Sequence, residues 1–388
     1  MGQLFDVIVV GAGMMGSAAA RHLSERGATV AIVGPTEPED RHAYSGPFAS
    51  HYDATRITRR LDQNRDWSRL SARSIARYRA LEEATGVSFY HETGAVMAVA
   101  PGFNDPGLAA RVREVNEREG IGADTPATGA FPYLSFPEGS AVWHEAQDAG
   151  MINPRAHVRA ELAAAAARGA VRYDSVALSL SEARDGVEII SSDGQSVRGA
   201  SVIVACGGYS RDAGLLPERL NLKVLARTVA FIELGAKEAA RLADMPSIVY
   251  FPDNRDDDLY VLPPALYPDG RTYIKIGGDP VDRALLSRDE INAWFRSSGD
   301  TGIGRYLVGE MQRLIPGLEA EGAQFAACMT TYTESGMPLI YKQTERVFVL
   351  TGGNGAGAKN ADEVGRLGAT LVLDGTLAEE GYSCDFQP

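Results

Sequence analysis

Three glycines near the start of the chain have the spacing of a dinucleotide-binding turn. Gly11, Gly13 and Gly16 form the pattern G-x-G-x-x-G. They follow an apolar β run at residues 7–10 and precede a helical pattern at residues 17–26. Such a turn directs backbone N–H groups and the positive end of a helix at a pyrophosphate. The alternative is an ordinary strand-to-helix turn, but the flanking elements favour the dinucleotide site.

The next strand lacks the acidic residue that usually accompanies this turn. Residues 28–33 predict the second strand, at whose end a binder of NAD or FAD usually carries Asp or Glu for the ribose hydroxyls. Gly34 stands there instead. Thr36, Glu37 and Glu39, in the loop that follows, are the remaining candidates. The sequence thus predicts where a pyrophosphate binds without identifying the ribose contact.

A second glycine-rich turn lies about 340 residues further on. Residues 346–351 predict a strand, residues 352–357 a turn and residues 361–373 a helix. We therefore expect a nucleotide-binding domain built from both ends of the chain, with a discontinuous second domain between them. The predicted domains comprise residues 1–88, 150–216 and 326–388 for the first, and 89–149 and 217–325 for the second.

Hydrophobic periodicity predicts the other elements. Helices are predicted at residues 68–85, 109–119, 153–168, 287–295 and 304–314. Strands are predicted at residues 90–100, 171–180, 187–191, 196–205, 224–234, 247–252, 260–263 and 271–277. Strands and helices alternate near both ends of the chain, which indicates an α/β fold.

Composition excludes several classes of partner. The chain has 388 residues and a formal net charge of −13, which argues against nucleic acid and anionic membranes as partners. No apolar run approaches the roughly 18 residues of a membrane span. The first strand begins at Asp6, so we expect no signal peptide and a cytoplasmic protein. Cys206, Cys328 and Cys384 are too few and too scattered for a disulfide framework or a zinc site, and no metal is predicted. A monomer or small homo-oligomer is expected.

Four blocks, in order, carry a family resemblance. They are the N-terminal turn, Ser50-His-Tyr-Asp-Ala-Thr-Arg-Ile-Thr-Arg59, Ala327-Cys-Met-Thr-Thr-Tyr-Thr333 and Gly352-Gly-Asn-Gly-Ala-Gly-Ala-Lys359. The chain resembles the FAD-dependent amine oxidases of the D-amino-acid oxidase superfamily, in particular the monomeric sarcosine oxidase and N-methyltryptophan oxidase branch. The resemblance runs from end to end.

The resemblance implies a fold and an activity. The fold would be α/β, or α+β overall, with an FAD-binding Rossmann-type domain and a discontinuous substrate domain on a mixed antiparallel sheet. The activity would be oxidation of the C–N bond of a small amine carrying an acid group to an imine, with O2 reduced to H2O2. The alternatives are a dehydrogenase that passes electrons to a carrier, a non-redox nucleotide-fold binding protein and, more weakly, an NAD(P)-dependent dehydrogenase.

The resemblance also implies functional residues. The predicted FAD contacts are Gly11, Gly13, Met15, Gly16, Glu37, Ser50, Thr55, Arg56, Cys328, Gly353, Asn354, Gly355, Gly357 and Lys359. Cys328 lies where the branch attaches FAD covalently; the alternative is a small buried residue. Lys275 resembles the lysine that activates O2, and Arg56 the arginine that stabilises the reduced ring. The alternative for Lys275 is a lysine in solvent, and the alternative for Arg56 is a surface salt bridge.

Substrate contacts are implied by position as well. Arg59 and Lys359 resemble the family's pair of cations that binds the substrate carboxylate, the carboxylate clamp. The alternative is two solvated cations. Thr330 and Tyr260 are further candidates for the substrate pocket. Thr330 stands where the branch has tyrosine, and Asp279 where it has histidine. These departures argue against sarcosine itself and favour a different or larger amine, such as one with an extra cationic or polar group.

Overall fold

A computed structural model describes residues 3–127, 129–211 and 214–388. The described strands are β1 Leu4–Val10, β2 Val30–Val33, β3 Arg56–Thr58, β4 Tyr90–His91, β5 Ala95–Val99, β6 Ala141–Glu145, β7 Gly150–Ile152, β8 Val171–Tyr173, β9 Ala177–Ala183, β10 Gly186–Ser191, β11 Ser196–Val204, β12 Lys223–Leu234, β13 Ser247–Phe251, β14 Leu259–Leu266, β15 Thr272–Gly277, β16 Arg283–Ala284, β17 Ala320–Tyr332, β18 Leu339–Lys342 and β19 Val347–Thr351. The described α-helices are α1 Met14–Glu25, α2 Arg65–Thr85, α3 Leu108–Arg118, α4 Pro154–Ala167, α5 Ala236–Arg241, α6 Arg288–Arg296, α7 Thr301–Leu314 and α8 Gly357–Asp374.

The first sheet has the order β18-β19-β11-β1-β2-β8, with the β9–β10 hairpin attached to β11. β1 lies at its centre and runs parallel to β2 and β11. Val7 and Val9 pack in the core that contains α1 and α8, whereas Ile8 and Val10 pack in the core on the opposite face. Both faces are covered, which explains the nearly continuous apolar run of β1.

The second sheet is mixed, with the order β16-β12-β15-β14-β13-β5-β6 and β17 paired with β12. Strand β13 is parallel to β5, whereas the other described pairs in this sheet are antiparallel. Leu307 and Met311 of α7 pack against Ile232 and Ile274 of the sheet. The α/β fold with a mixed antiparallel sheet is confirmed. The domain boundaries stay a prediction, and the one placed between residues 325 and 326 falls inside β17.

Several elements differ from the predicted ones. Helix α1 begins three residues before the predicted start, and α8 begins four residues before it. Their N-caps are Gly13 and Ala356, neither of which makes a side-chain cap hydrogen bond. No Ser, Thr, Asp or Asn therefore marks these helix starts in the sequence. The predicted strand at residues 90–100 is two strands, separated at Gly94, where φ is +75°.

A small third sheet supports the loop between β2 and α2. It has the order β3-β7-β4, and of these short strands periodicity predicted β4, as part of residues 90–100, but not β3 or β7. Strand β3 carries Arg56, and Arg59 follows it directly. This sheet therefore fixes the backbone that presents two of the predicted functional arginines.

Candidate functional site

A cavity of about 630 Å³ is lined by residues from the first and second sheets. Its size is in the range of small-molecule sites. The predicted site residues in its wall are Gly11, Gly13, Met15, Ser50, Arg56, Arg59, Tyr260, Cys328, Thr330, Gly353, Asn354, Gly355, Gly357 and Lys359. The other predicted residues, Gly16, Glu37, Thr55 and Lys275, do not line it.

The N-terminal glycine turn forms part of the cavity wall. At Gly11, where φ is +110°, an added Cβ would clash with the carbonyl oxygen of Ala205; at Gly16 it would clash with that of Gly11. At Gly13 the nearest atom to an added Cβ is His51 Nδ1, at 3.9 Å. Gly11 and Gly16 thus allow close packing, while Gly13 leaves space at the N-terminus of α1, where an anion is favoured.

Packing accounts for the missing acidic residue after β2. An added Cβ at Gly34 would lie 2.6 Å from the backbone nitrogen of Ala12, so a side chain there would press on the glycine turn. Glu37 accepts hydrogen bonds of 2.7 and 2.6 Å from Arg155. No described contact brings Glu37 into the cavity, and its role at the ribose stays a prediction.

His51 is a cavity residue that the sequence reasoning did not select. Its Nδ1 is buried and has no hydrogen-bond partner among the described residues. Burial, with the nearby Arg155 and Arg56, lowers the pKa of His51 to about 3, so the imidazole is neutral. A neutral imidazole with an unused nitrogen can accept or donate one hydrogen bond to a ligand. The only sequence signal was its position within the block of residues 50–59.

The second glycine turn meets the first one at Met15. Met15 Cε lies 3.4 Å from an added Cβ at Gly357. Asn354 closes the second turn, because its Oδ1 accepts from the backbone N–H of Thr333 at 2.9 Å and its Nδ2 donates to Gly352 at 2.7 Å. The two turns, far apart in sequence, therefore form one continuous part of the wall.

Asp62 holds the two cations of the carboxylate clamp together. Asp62 Oδ2 accepts from Lys359 Nζ at 2.8 Å and from Arg59 Nη1 at 3.3 Å. Burial opposes ionisation of Asp62, but Lys359 and Arg59 outweigh it and lower its pKa to about 2. Burial and Arg59 lower the pKa of Lys359 to about 8. Lys359 lies in the first turn of α8, not in the glycine turn where the sequence placed it.

A second group of charges lies beneath the cavity wall. Lys275 is 1% exposed, and its Nζ donates to Asp53 Oδ2 and to the carbonyl oxygen of Thr55, each at 2.7 Å. Arg56 also donates to Asp53 Oδ2. Burial and Arg56 lower the pKa of Lys275. Asp53 joins the two cations predicted as catalytic, and neither its spacing nor its type drew attention in the sequence.

Cys328 is positioned by β17 opposite Arg227 of β12. Its Sγ lies 3.8 Å from Arg56 Nη2 and faces the cavity. A partly accessible thiol beside a guanidinium is the setting of a nucleophilic cysteine. Burial raises the pKa of Cys206 and of Cys384 to about 12, so Cys328 is the one of the three with such a setting.

The departures from the family pattern lie in the cavity wall. Thr330 Oγ1 is buried and has no hydrogen-bond partner among the described residues. Asp279 accepts from the backbone N–H groups of Thr228 and Val281, each at 2.9 Å. Asp279 therefore organises the wall through both of its carboxylate oxygens, while Thr330 offers a free hydroxyl.

One buried group of the described residues has the arrangement of metal ligands, namely His157, Glu161 and Asp362. Arg21 donates to both carboxylates and supplies their positive charge. Across the described ranges, no helix is both long and apolar enough to cross a bilayer.

The family model of the FAD dependent oxidoreductases, named DAO, matches residues 6–371. The monomeric sarcosine oxidase of Bacillus sp. (strain B-0618) is 25% identical over 391 residues, which cover 96% of this chain and 93% of that protein. The monomeric sarcosine oxidase of Streptomyces avermitilis is 25% identical over 394 residues, with coverage of 97% and 96%.

Solved structures show the same fold. NikD, described as an unusual amino acid oxidase essential for nikkomycin biosynthesis, superposes with a TM-score of 0.77 at 20% identity, covering 97% of this chain and 96% of that chain. Glycine oxidase from Geobacillus kaustophilus gives a TM-score of 0.72 at 19% identity, with the same coverage.

Proposed function

The chain belongs to the FAD dependent oxidoreductase family, and from that premise we propose that it oxidises the C–N bond of a small amine carrying a carboxylate. The substrate loses two electrons to give an imine, which water hydrolyses to a carbonyl compound and a free amine. O2 takes up the two electrons and two protons and leaves as H2O2. The observation that carries this proposal is one cavity that holds both glycine turns, Cys328 and the carboxylate clamp.

The cavity fits FAD. The space at Gly13 lies at the N-terminus of α1, where a pyrophosphate would receive backbone N–H groups. His51 Nδ1 and Thr330 Oγ1 are buried polar atoms without a partner among the described residues, so each has a hydrogen bond left for a ligand. When bound, FAD supplies a two-electron acceptor for the substrate carbon. Cys328 would hold it through a thioether.

The chain's own residues bind and orient the substrate. Lys359 and Arg59 receive its carboxylate, and Asp62 keeps both cations in place before the substrate arrives. A carboxylate held at two cations fixes which carbon faces the cofactor. The neutral form of the amine is the form able to give up hydride, so an amine that binds as an ammonium must lose its proton before it reacts. Arg56 supplies positive charge at the wall, with Lys275 beneath it.

An anaerobic screen of amines by flavin absorbance tests the proposal. We expect bleaching by secondary or primary amino acids and little bleaching by the same amines without the carboxylate. Exposure to air should then restore the colour and produce one H2O2 per substrate. A protein that binds FAD but is bleached by no amine would contradict the proposal, as would a colourless protein after reconstitution.

A dehydrogenase is the second candidate, and one observation favours it. The ammonium of Lys275 is paired with Asp53 at 2.7 Å, which offsets the positive charge proposed to assist O2 reduction. Rapid reduction of an artificial dye by the substrate-reduced enzyme, without H2O2 under air, would support this candidate over the oxidase.

A further inference from the structure

Two adjacent carboxylates of the cavity wall, Asp257 and Asp258, have no ion pair with a described residue; Asp257 is exposed, whereas Asp258 is half-buried. Asp258 directly precedes β14 and lines the cavity together with Tyr260. Side chains two residues apart on a strand share a face, and their Cα atoms lie about 7 Å apart. Leu259, between them, points into the core and is fully buried. Asp258 is therefore held at the cavity by the alternation of a well-packed strand.

The two buried acids of the wall have partners. Asp62 is paired with the carboxylate clamp, and Asp279 accepts two backbone hydrogen bonds. The carboxylate of Asp258 has no ion pair with a described residue, and it accepts no hydrogen bond from any of them except its own backbone. Its strongest electrostatic neighbour is Arg59, whose ion pair is with Asp62.

The position of Asp258 makes this lack of a partner informative. Burial raises the pKa of Asp258, and the attraction of Arg59 only partly offsets that effect. A half-buried carboxylate without a counter-charge is partly deprived of water, whereas the same carboxylate facing a cationic ligand is stabilised. The two cations of the carboxylate clamp, together with the carboxylate of Asp62, leave one net positive charge. The cavity thus presents a positive and a negative site side by side.

We propose that Asp258 binds a cationic nitrogen of the substrate next to the carboxylate clamp, so that the site selects zwitterionic amino acids over simple acids. This inference rests on the proposed function for the identity of the bound molecule as a substrate. The nitrogen is either the amine that reacts or a second amino group further along the substrate. Both place an ammonium against the same carboxylate, and an experiment separates them.

Two redox-inert acids of nearly equal shape test the cation site directly in the FAD-loaded enzyme. Trimethylammonioacetate carries a permanent positive charge, whereas 3,3-dimethylbutanoate replaces the nitrogen by carbon. Calorimetric titration should show the cationic acid binding about 10-fold more tightly, which corresponds to about 1.4 kcal/mol. Asp258→Asn should abolish this preference. Asp256→Asn, a change at an exposed carboxylate that does not line the cavity, should retain it.

Two outcomes would overturn the inference: equal binding of the two acids by the unmodified protein, or an unchanged preference in Asp258→Asn. Asp258→Ser is the second variant if Asp258→Asn fails to fold, and the melting temperature reports folding of each. A preference that persists in a protein bleached by no amine would keep the cation site and refute only the proposed oxidation.

Lysine and norleucine distinguish the two sources of the nitrogen, because they differ in the distal amino group. If Asp258 contacts the distal group, Asp258→Asn should lower binding of lysine about 10-fold and leave norleucine unchanged. If it contacts the reacting amine, binding of both should fall together. Either loss supports a cation site at Asp258, and unchanged binding of both contradicts it.

Discussion

At the scale of single residues, Asp62 holds the two cations of the carboxylate clamp in place. It accepts hydrogen bonds from both Lys359 and Arg59, so the two cations are held together before a substrate enters. Like charges this close would otherwise repel, and the lowered pKa of Lys359, about 8, reflects burial and the nearby arginine. The clamp is therefore preorganised, which reduces the cost of ordering it on binding.

Lys359→Met should weaken substrate binding. A charge-assisted hydrogen bond contributes about 1.5–3 kcal/mol, so we expect kcat/KM to fall by about 10-fold to 150-fold, mostly through KM. Steady-state kinetics measure this. Lys342→Met, which removes an exposed lysine of β18, is the matched control and should leave both constants unchanged. A normal KM in Lys359→Met would show that the substrate carboxylate binds elsewhere.

Asp53→Asn should change the pH dependence of flavin reoxidation. The carboxylate of Asp53 stabilises the protonated form of Lys275, whose pKa burial and Arg56 already lower. Without that carboxylate the pKa of Lys275 falls further. A rate that needs the protonated lysine is present below this pKa and lost above it, so the alkaline limb should move to lower pH. Stopped-flow reoxidation across pH measures the limb, and an unchanged profile would contradict the role of this pair.

Cys328→Ala should release FAD. Acid precipitation of the unmodified protein is expected to leave the yellow colour in the pellet, because the proposed thioether would attach the flavin to Cys328. In Cys328→Ala the colour should move to the supernatant. Cys384→Ala, at a thiol that does not line the cavity, serves as the control and should keep the colour in the pellet. Colour wholly in the supernatant for the unmodified protein would refute the thioether.

At the scale of elements, the contact between α1 and α8 depends on one glycine. An added Cβ at Gly365 would lie 2.6 Å from the backbone nitrogen of Ala19. Backbone cannot move aside as a flexible side chain does, so the two helices would have to separate. Their separation would disturb both glycine turns, because α1 and α8 each begin at the cavity.

Gly365→Ala should therefore destabilise the protein by about 1–3 kcal/mol through overpacking. Gly309→Ala in α7 is the control, because no heavy atom lies within 4 Å of an added Cβ there. Alanine favours the helix over glycine, so Gly309→Ala should stabilise by up to about 1 kcal/mol. Urea unfolding of both variants measures the two free energies. Equal effects would show that helix propensity, and not the α1–α8 contact, governs these positions.

The sequence predicted those elements whose pattern depends on local residues. The strand, turn and helix around Gly11 follow from apolar alternation and glycine spacing. Strand β17 was not predicted, because its first half is largely exposed and lacks alternation; it forms through pairing with β12. Asp53 and Asp62 were missed in the candidate site for a related reason. Their lysine partners, Lys275 and Lys359, lie more than 200 residues away in sequence.

At the scale of the whole molecule, a buried ionic network joins helices that are distant in sequence. Arg21 of α1 donates to Glu161 of α4 at 2.5 Å and to Asp362 of α8. Arg77 of α2 also pairs with Asp362. These carboxylates are fully buried. Burial opposes ionisation of Asp362, but His22 and the two arginines outweigh it and lower the pKa of Asp362. The network specifies which helices pack together, since each charge needs its partner.

Arg21→Met should cost about 3–5 kcal/mol of unfolding free energy, because it leaves the buried carboxylate of Glu161 without its arginine. Arg26→Met is the matched control. Arg26 pairs with Asp374 at the surface, where an ion pair contributes about 0–1 kcal/mol. Urea unfolding monitored by circular dichroism compares them. A loss below about 1 kcal/mol in Arg21→Met would show that the network is not a major source of stability.

The order of strands in the first sheet has a consequence for biosynthesis. β1 pairs with β11, which in turn pairs with β19, more than 330 residues after β1. At a translation rate of about 5–20 residues per second, the ribosome needs on the order of 20 to 70 seconds between these strands. During that interval the apolar residues of β1 and α1 lack the cover of α8. We therefore expect these apolar residues of the nascent chain to need protection, and the second glycine turn to be missing from the cofactor site until β19 and α8 have left the ribosome.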